Sequence, residues 1–162
     1  MQYPHSTSDK VQATLTGSRL RSYAFAVLTR REYSKTELIE KLSLYALHKE
    51  EVIALVEEFS EKQYQSDQRV AELVLSSQCR KGKGPNRIRQ RLKEKNIDTQ
   101  YIQDDLQNID WLEQAYALKV KKYGVAVEKE PKLRAKQIRF LQYRGFDMDI
   151  IFKAIDLKAE DE

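Results

Sequence analysis

The sequence predicts an all-α protein built as three tandem three-helix repeats that stack into a short, elongated, curved solenoid. Three observations carry this reading. From Ser18 onward apolar residues recur at helical spacing. Only 5 glycines and 3 prolines punctuate 162 residues, too few for a turn-rich β fold. The pattern also returns: with Leu42, Leu92 and Leu141 taken as equivalent, the copies are offset by 50 and then 49 residues. One such unit is too small to bury a stable core, so neighbouring units must supply the missing contacts.

Residues 1–17 are polar, carry Pro4, Gly17 and several Ser and Thr, and lack periodicity, which predicts a flexible N-terminal arm. The first repeat is assigned to residues 18–66. Leu20, Tyr23, Ala24, Val27 and Leu28 follow the i, i+3, i+4, i+7, i+8 pattern, and Ser34 with Glu37 forms a capping box ahead of Leu38 and Leu42. Val52, Ile53, Val56 and Phe59 mark the third helix. The second repeat spans 67–110. Val70, Leu73 and Val74 open it, Gly84-Pro85 starts its middle helix with the proline at N1, and Ile88 and Leu92 face inward. Tyr101, Ile102, Leu106 and Ile109 complete it. The third repeat, 111–157, begins with Leu112, Tyr116 and Val120. It resumes at Pro131 after a longer loop, carries Leu133, Ile138 and Leu141, and closes on Ile150, Ile151, Ala154 and Ile155. Gly145 suits a left-handed C-cap with Phe146 packed back on its helix. Residues 158–162 form an acidic tail.

Hydrophobic residues make up 41% and charged residues 33%, enough for a core beneath a highly charged exterior. The net charge of +4 hides a sorted distribution. Residues 80–95 hold eight basic side chains against one acid, and residues 117–144 nine against two, a net of +7 in each block. Residues 32–72 carry ten acids to five bases, and residues 96–116 five acids with no Lys or Arg. Sorted positive blocks suit a polyanion or an acidic protein groove. The single cysteine, Cys79, excludes an intrachain disulfide. No apolar run reaches membrane-spanning length and the N-terminus has no apolar signal region, so a cytoplasmic, monomeric protein with no membrane contact is expected.

Nothing in the chain points to an enzyme. The two histidines, His5 and His48, and Cys79 do not supply a zinc set, so no metal and no cofactor are expected. Cys79 reads as a small helix-packing residue, although a Cys79–His48 pair is formally available. Glu57-Glu58 and Asp104-Asp105 are adjacent on helices and point apart, and with Asp147 and Asp149 they read as solvated faces or helix N-terminal charges. Gly82-Lys83-Gly84 lacks both the spacing and the preceding strand of a phosphate loop.

The basic stretch from Arg80 to Lys95 is the most informative segment. Arg80, Lys81 and Lys83 lead in. Arg87, Arg91 and Lys95 then fall at i, i+4, i+8, and Arg89 and Lys93 form a second line. Like charges at this spacing destabilise a helix by roughly 0.2–0.5 kcal/mol per pair, so an ordinary solvated face alternates sign. Only Glu94 interrupts the run, which indicates an external anion, phosphate or acidic protein; the alternative is a solubilising face that is simply basic. A second basic helix carries Lys132, Arg134, Lys136, Arg139 and Arg144, with Lys119, Lys121 and Lys122 in the same half. Tyr143 suits either stacking on a base or a packing role, and Trp111 reads first as packing between the second and third repeats.

These segments resemble the RecX family. Arg80-Lys81-Gly82, Gly84-Pro85, Arg87-Ile88 and Arg89-Gln90 are similar to its central motif. Lys136, Arg139-Phe140-Leu141 and Tyr143-Arg144-Gly145-Phe146 are similar to its C-terminal signature, and Asp110-Trp111 to the opening of its third unit. The resemblance covers Ser18 to Ile155. It departs at Gln63 to Val70, where the family has a Gly-Tyr-Leu-Asp-like turn before an Arg-Phe pair; Tyr64, Asp67 and Arg69 remain, and Gln65 and Val70 differ. The resemblance implies tandem three-helix repeats and a non-enzymatic regulator of the RecA recombinase, within homologous recombination, DNA repair and the SOS response. It implies lodging in the groove of the RecA–DNA filament, with inhibition of ATPase, filament extension and strand exchange. The sixteen basic residues named above are then the candidate contacts to RecA or to single- or double-stranded DNA. The competing expectation is a helical-repeat protein that binds DNA directly with no recombinase partner.

Overall fold

The structure is a computed structural model that describes residues 13–159. The fold is all-α. Among the described residues the helices are α1 (Gly17–Arg30), α2 (Lys35–Ser43), α3 (Lys49–Glu61), α4 (Asp67–Arg80), α5 (Pro85–Glu94), α6 (Gln103–Asn108), α7 (Trp111–Tyr123), α8 (Pro131–Arg144) and α9 (Met148–Asp156), with a 3-10 turn at Thr99–Ile102 before α6. None is long and apolar enough to cross a membrane. The described residues fall into two compact units, one running to Val70 and taking in Lys95–Ile97, the other comprising Ala71–Glu94 and the chain from Asp98 onward.

In the first unit the predicted spacing decides which faces are buried. Leu20, Tyr23, Ala24 and Val27 of α1, Leu38 and Leu42 of α2, and Val52, Val56 and Phe59 of α3 are all buried in one core. Ile53, one position from Val52 on α3, points out and is 52% exposed, because adjacent helical residues face different directions. Leu15 joins this core from the segment assigned by sequence to the N-terminal arm. Its N–H donates to Tyr45 O at 2.8 Å and its carbonyl accepts from Leu47 N at 2.9 Å, a single parallel bridge to Ala46. The remainder of that arm, residues 1–12 with His5, lies outside the described residues, as do residues 160–162 of the acidic tail.

The turn where the chain departs from the family pattern is held by polar groups. Gln63 adopts φ +65° at the end of α3, where Gln63 N donates to Ser60 O and Tyr64 N to Phe59 O. Gln65 is 1% exposed, yet its amide is satisfied, donating to Tyr33 O at 3.1 Å and to Asp67 Oδ1 at 3.0 Å. Arg69 spans the same turn, bonding Glu32 and the carbonyls of Gln63 and Tyr64.

The capping box at α2 is formed as the sequence predicts: Glu37 N donates to Ser34 Oγ at 3.2 Å and Ser34 N to Glu37 Oε1 at 2.9 Å. Ser34 is fully buried, and its hydroxyl donates in turn to Lys95 O at 2.9 Å. Lys95 completes the cluster through an Nζ–Glu37 Oε2 ion pair at 3.1 Å. Burial opposes charge on Glu37, but the Ser34 N–H, Lys95 and Arg31 outweigh it and hold the carboxyl below its ordinary range.

In the second unit, α7, α8 and α9 enclose Ala115, Tyr116, Leu141, Phe146, Ile151, Ala154 and Ile155. Pro85, Ile88 and Leu92 of α5 are buried, as are Ile102 and Leu106. Leu73, Tyr101 and Leu133 are exposed, each on the outer side of its helix or turn.

A depressed folded pKa stabilises the fold above the unfolded value, and that contribution is lost as pH falls through the folded one. Glu37→Gln is therefore expected to lower the thermal midpoint at about pH 7, with the gap to wild type shrinking on acidification towards about pH 3. Melting curves across that range check it; a gap independent of pH would contradict the pairing.

Candidate anion-binding surface

The two basic blocks are brought together in the second unit by a backbone crossing between the start of α5 and the end of α8. Gly145 closes α8 at φ +102°, with Gly145 N donating to Gln142 O at 3.0 Å and Phe146 N to Leu141 O at 3.3 Å. The carbonyls that a helix C-terminus leaves open are taken by α5: Gly84 N donates to Arg144 O at 2.7 Å and Asn86 N to Gly145 O at 3.0 Å. A Cβ on Gly84 would stand 2.6 Å from both the carbonyl carbon and oxygen of Gly145, so the crossing requires glycine. On the other side the Arg87 side chain fills the space a Cβ on Gly145 would need. Asn86 Nδ2 adds a hydrogen bond to Asp147 at 2.8 Å.

A groove of about 650 Å³ opens beside this crossing. Its cations are Arg80 and Lys81 from the end of α4, Lys121 and Lys122 from α7, and Arg144 from α8, and none of its lining residues is acidic. Leu118 and Phe140 supply an apolar floor. Arg144 is oriented by donation from Nη1 to Lys81 O at 2.9 Å. Lys122 Nζ lies 4.2 Å from the Phe140 ring centroid and Arg144 Cζ 5.4 Å from it. Among the described residues none of these five cations forms an ion pair with a carboxylate. Cys79 also lines the groove, half-buried, and burial pushes its thiol up from its ordinary value.

The remaining predicted cations divide by what they touch. Lys83 and Arg87 lie near Tyr143, with Arg87 Cζ 4.9 Å and Lys83 Nζ 5.9 Å from its ring centroid. Arg89 and Lys93 are exposed on α5, and Lys132, Lys136 and Arg139 on α8. Arg91 is paired with Glu94 at 3.0 Å, and Arg134 with Asp156 at 2.6 Å, a contact that raises the Arg134 pKa further.

Two expected surface cations are corrected. Lys119 is fully buried and donates to Ala126 O at 2.9 Å, and burial lowers its pKa. It ties the 124–130 loop from inside and has no exposed head to offer a partner. Lys95 does not extend the Arg87–Arg91 line: α5 ends at Glu94, and the Lys95 side chain is 13% exposed against Glu37.

Trp111 takes the packing role, its indole N–H donating to Leu106 O at 2.9 Å and its ring meeting Phe146 edge-on. Sequence spacing missed Leu118 and Phe140 as the groove floor, since neither departs from an ordinary helix pattern. His48 stands at the N-cap of α3, and among the described residues no group of three His, Cys, Asp or Glu side chains is placed to hold a metal ion.

Comparison with known proteins gives a consistent picture. The family model for the second three-helix domain of RecX matches residues 66–106, and that for the third matches 108–155. The regulatory protein RecX of Acinetobacter baylyi is 68% identical over 155 residues, 96% of this chain and 96% of its own length. That of Vibrio cholerae serotype O1 is 38% identical over 144 residues, 88% of this chain and 95% of its own. A crystal structure of RecX from Lactobacillus salivarius shares the fold, with a TM-score of 0.73 at 23% identity over 85% of this chain and 93% of that one.

Gly84→Ala is expected to lower stability by about 1–3 kcal/mol through overpacking against the Gly145 backbone. Asn86→Ala, which removes the exposed side-chain bonds to Asp147 and from Arg89, should cost about 0.5–1.5 kcal/mol. Denaturant titration of the two variants checks the order; a harmless alanine at 84 would contradict the close approach.

Proposed function

The chain belongs to the RecX family of regulatory proteins, and from that premise we propose that it binds the RecA–DNA filament in its groove and restrains RecA ATPase, filament extension and strand exchange. The observation that carries this reading is the set of five cations around the groove, which have no carboxylate partner among the described residues. A folded chain that gathers positive charge at such a site keeps it available for an external anion, because like charges brought together gain nothing from one another. RecA surface carboxylates and filament DNA are both anions of that kind.

The remaining basic residues support the same surface unequally. Lys93, Lys132, Lys136 and Arg139 are exposed and can steer an encounter, as can Arg89, whose guanidinium donates to Asn86 Oδ1 at 3.1 Å. Arg91 and Arg134 must first give up Glu94 and Asp156. Lys119 and Lys95 take no part.

RecA ATP hydrolysis on single-stranded DNA is expected to fall on addition of the wild-type protein. The Lys121→Glu/Lys122→Glu variant should need roughly tenfold more protein for the same effect, as for about 1.4 kcal/mol of lost interaction. Both side chains are exposed, so the fold should be retained by circular dichroism. Undiminished inhibition by the variant would overturn the role of the groove. Absence of inhibition by wild type, with no co-sedimentation on filaments, would overturn the function itself.

A further inference from the structure

A second hollow, of about 820 Å³, shares Ala117 and Lys121 of α7 with the cationic groove. Leu112, Tyr116 and Val120 of α7 and Val125 of the following loop give it apolar walls. Asp110 and Glu113 stand at the start of α7, and Ala159, the last described residue, is also part of the wall. From that wall the sequence continues as Glu160-Asp161-Glu162, three acids in succession. Lys121 is exposed and forms no ion pair among the described residues.

We propose that residues 160–162 fold back into this hollow and pair with Lys121, an intramolecular brake that withholds one groove cation from an external anion. The contact goes beyond the regulatory reading, and only its inhibitory consequence rests on that reading. Three arguments favour the chain's own acids as the occupant. Three residues span at most about 10 Å, and both the residue they follow and the lysine they would meet line the same hollow. Glu113 precedes Lys121 by eight residues, about 12 Å along the helix axis, so the acids at the start of α7 repel the segment towards the lysine. The segment is tethered to the wall, so its local concentration is of millimolar order and exceeds that of the same segment on a second copy in dilute solution. The brake is also weak, because an exposed ion pair is screened and modest. A partner that engages several groove cations at once displaces it.

The test uses the full chain and first omits RecA. A water-soluble carbodiimide joins a carboxylate to an amine in direct contact, and peptide mapping by mass spectrometry finds the linked pair. Lys121 should be joined to residues 160–162, and in a mixture of nitrogen-15-labelled and unlabelled protein the links should lie within single chains. Links only to Lys153 or Lys158 overturn the site, and links between labelled and unlabelled chains overturn the intramolecular brake. The Glu160→Gln/Asp161→Asn/Glu162→Gln variant should then inhibit RecA ATP hydrolysis at about two- to fivefold lower concentration than wild type, the range that one exposed ion pair supports. Unchanged potency overturns the brake. In a Lys121→Gln background the same three substitutions should add nothing, and an equal gain there overturns the assignment to Lys121. If wild type fails to inhibit RecA, the regulatory reading falls, while the mapped link still decides the contact.

Discussion

The backbone crossing of Gly84 over Gly145 is the constraint on which the functional half of the molecule depends. Two segments about sixty residues apart meet there through main-chain hydrogen bonds, and the C-terminus of α8 is capped by the amides that begin α5. The arrangement answers two needs at once. Open carbonyls at one helix end and open N–H groups at another satisfy each other, and oppositely signed ends of two helix dipoles face one another. The same crossing draws two basic blocks together, so their mutual repulsion must be borne by backbone bonds rather than relieved by side chains.

That repulsion explains which cations are available. Charge sorting along a sequence does not by itself say which residues a fold will neutralise. Here Lys95 is claimed by Glu37, Arg91 by Glu94 and Arg134 by Asp156, while Lys119 is withdrawn into the interior. The five cations of the groove are among those left over. Their planar neighbours matter as much as their charge, because Phe140 accepts Lys122 and Arg144 over its face and fixes both heads beside a hollow.

The helices and their caps were legible in the sequence because each depends on residues a few positions apart. Ser34 with Glu37, Pro85, Pro131 and Gly145 all act within one turn, and the 3.6-residue spacing separates buried Val52 and Val56 from exposed Ile53. Distant pairings were not legible. Lys119, four residues after Ala115 and three after Tyr116, falls on the inward face of α7 where Lys121 does not, but spacing cannot supply its acceptor; only the course of the 124–130 loop brings the Ala126 carbonyl to it. The same holds for Lys95, whose fate is set by a helix that ends one residue earlier. Gln65, which breaks the family pattern, is accommodated because its amide finds one acceptor two residues on, Asp67, and one across the chain, the Tyr33 carbonyl.

Lys119 also gives the molecule a built-in sentinel. Its amine is sealed beneath the 124–130 loop and held by one carbonyl, so an acylating reagent in solution reaches it only when that loop lifts away. The surface lysines react continuously, whereas this one clocks a local opening whose frequency is set by a single donor–acceptor bond and the packing around it. One buried nitrogen thus converts a silent fluctuation of the third helical domain into a countable chemical event.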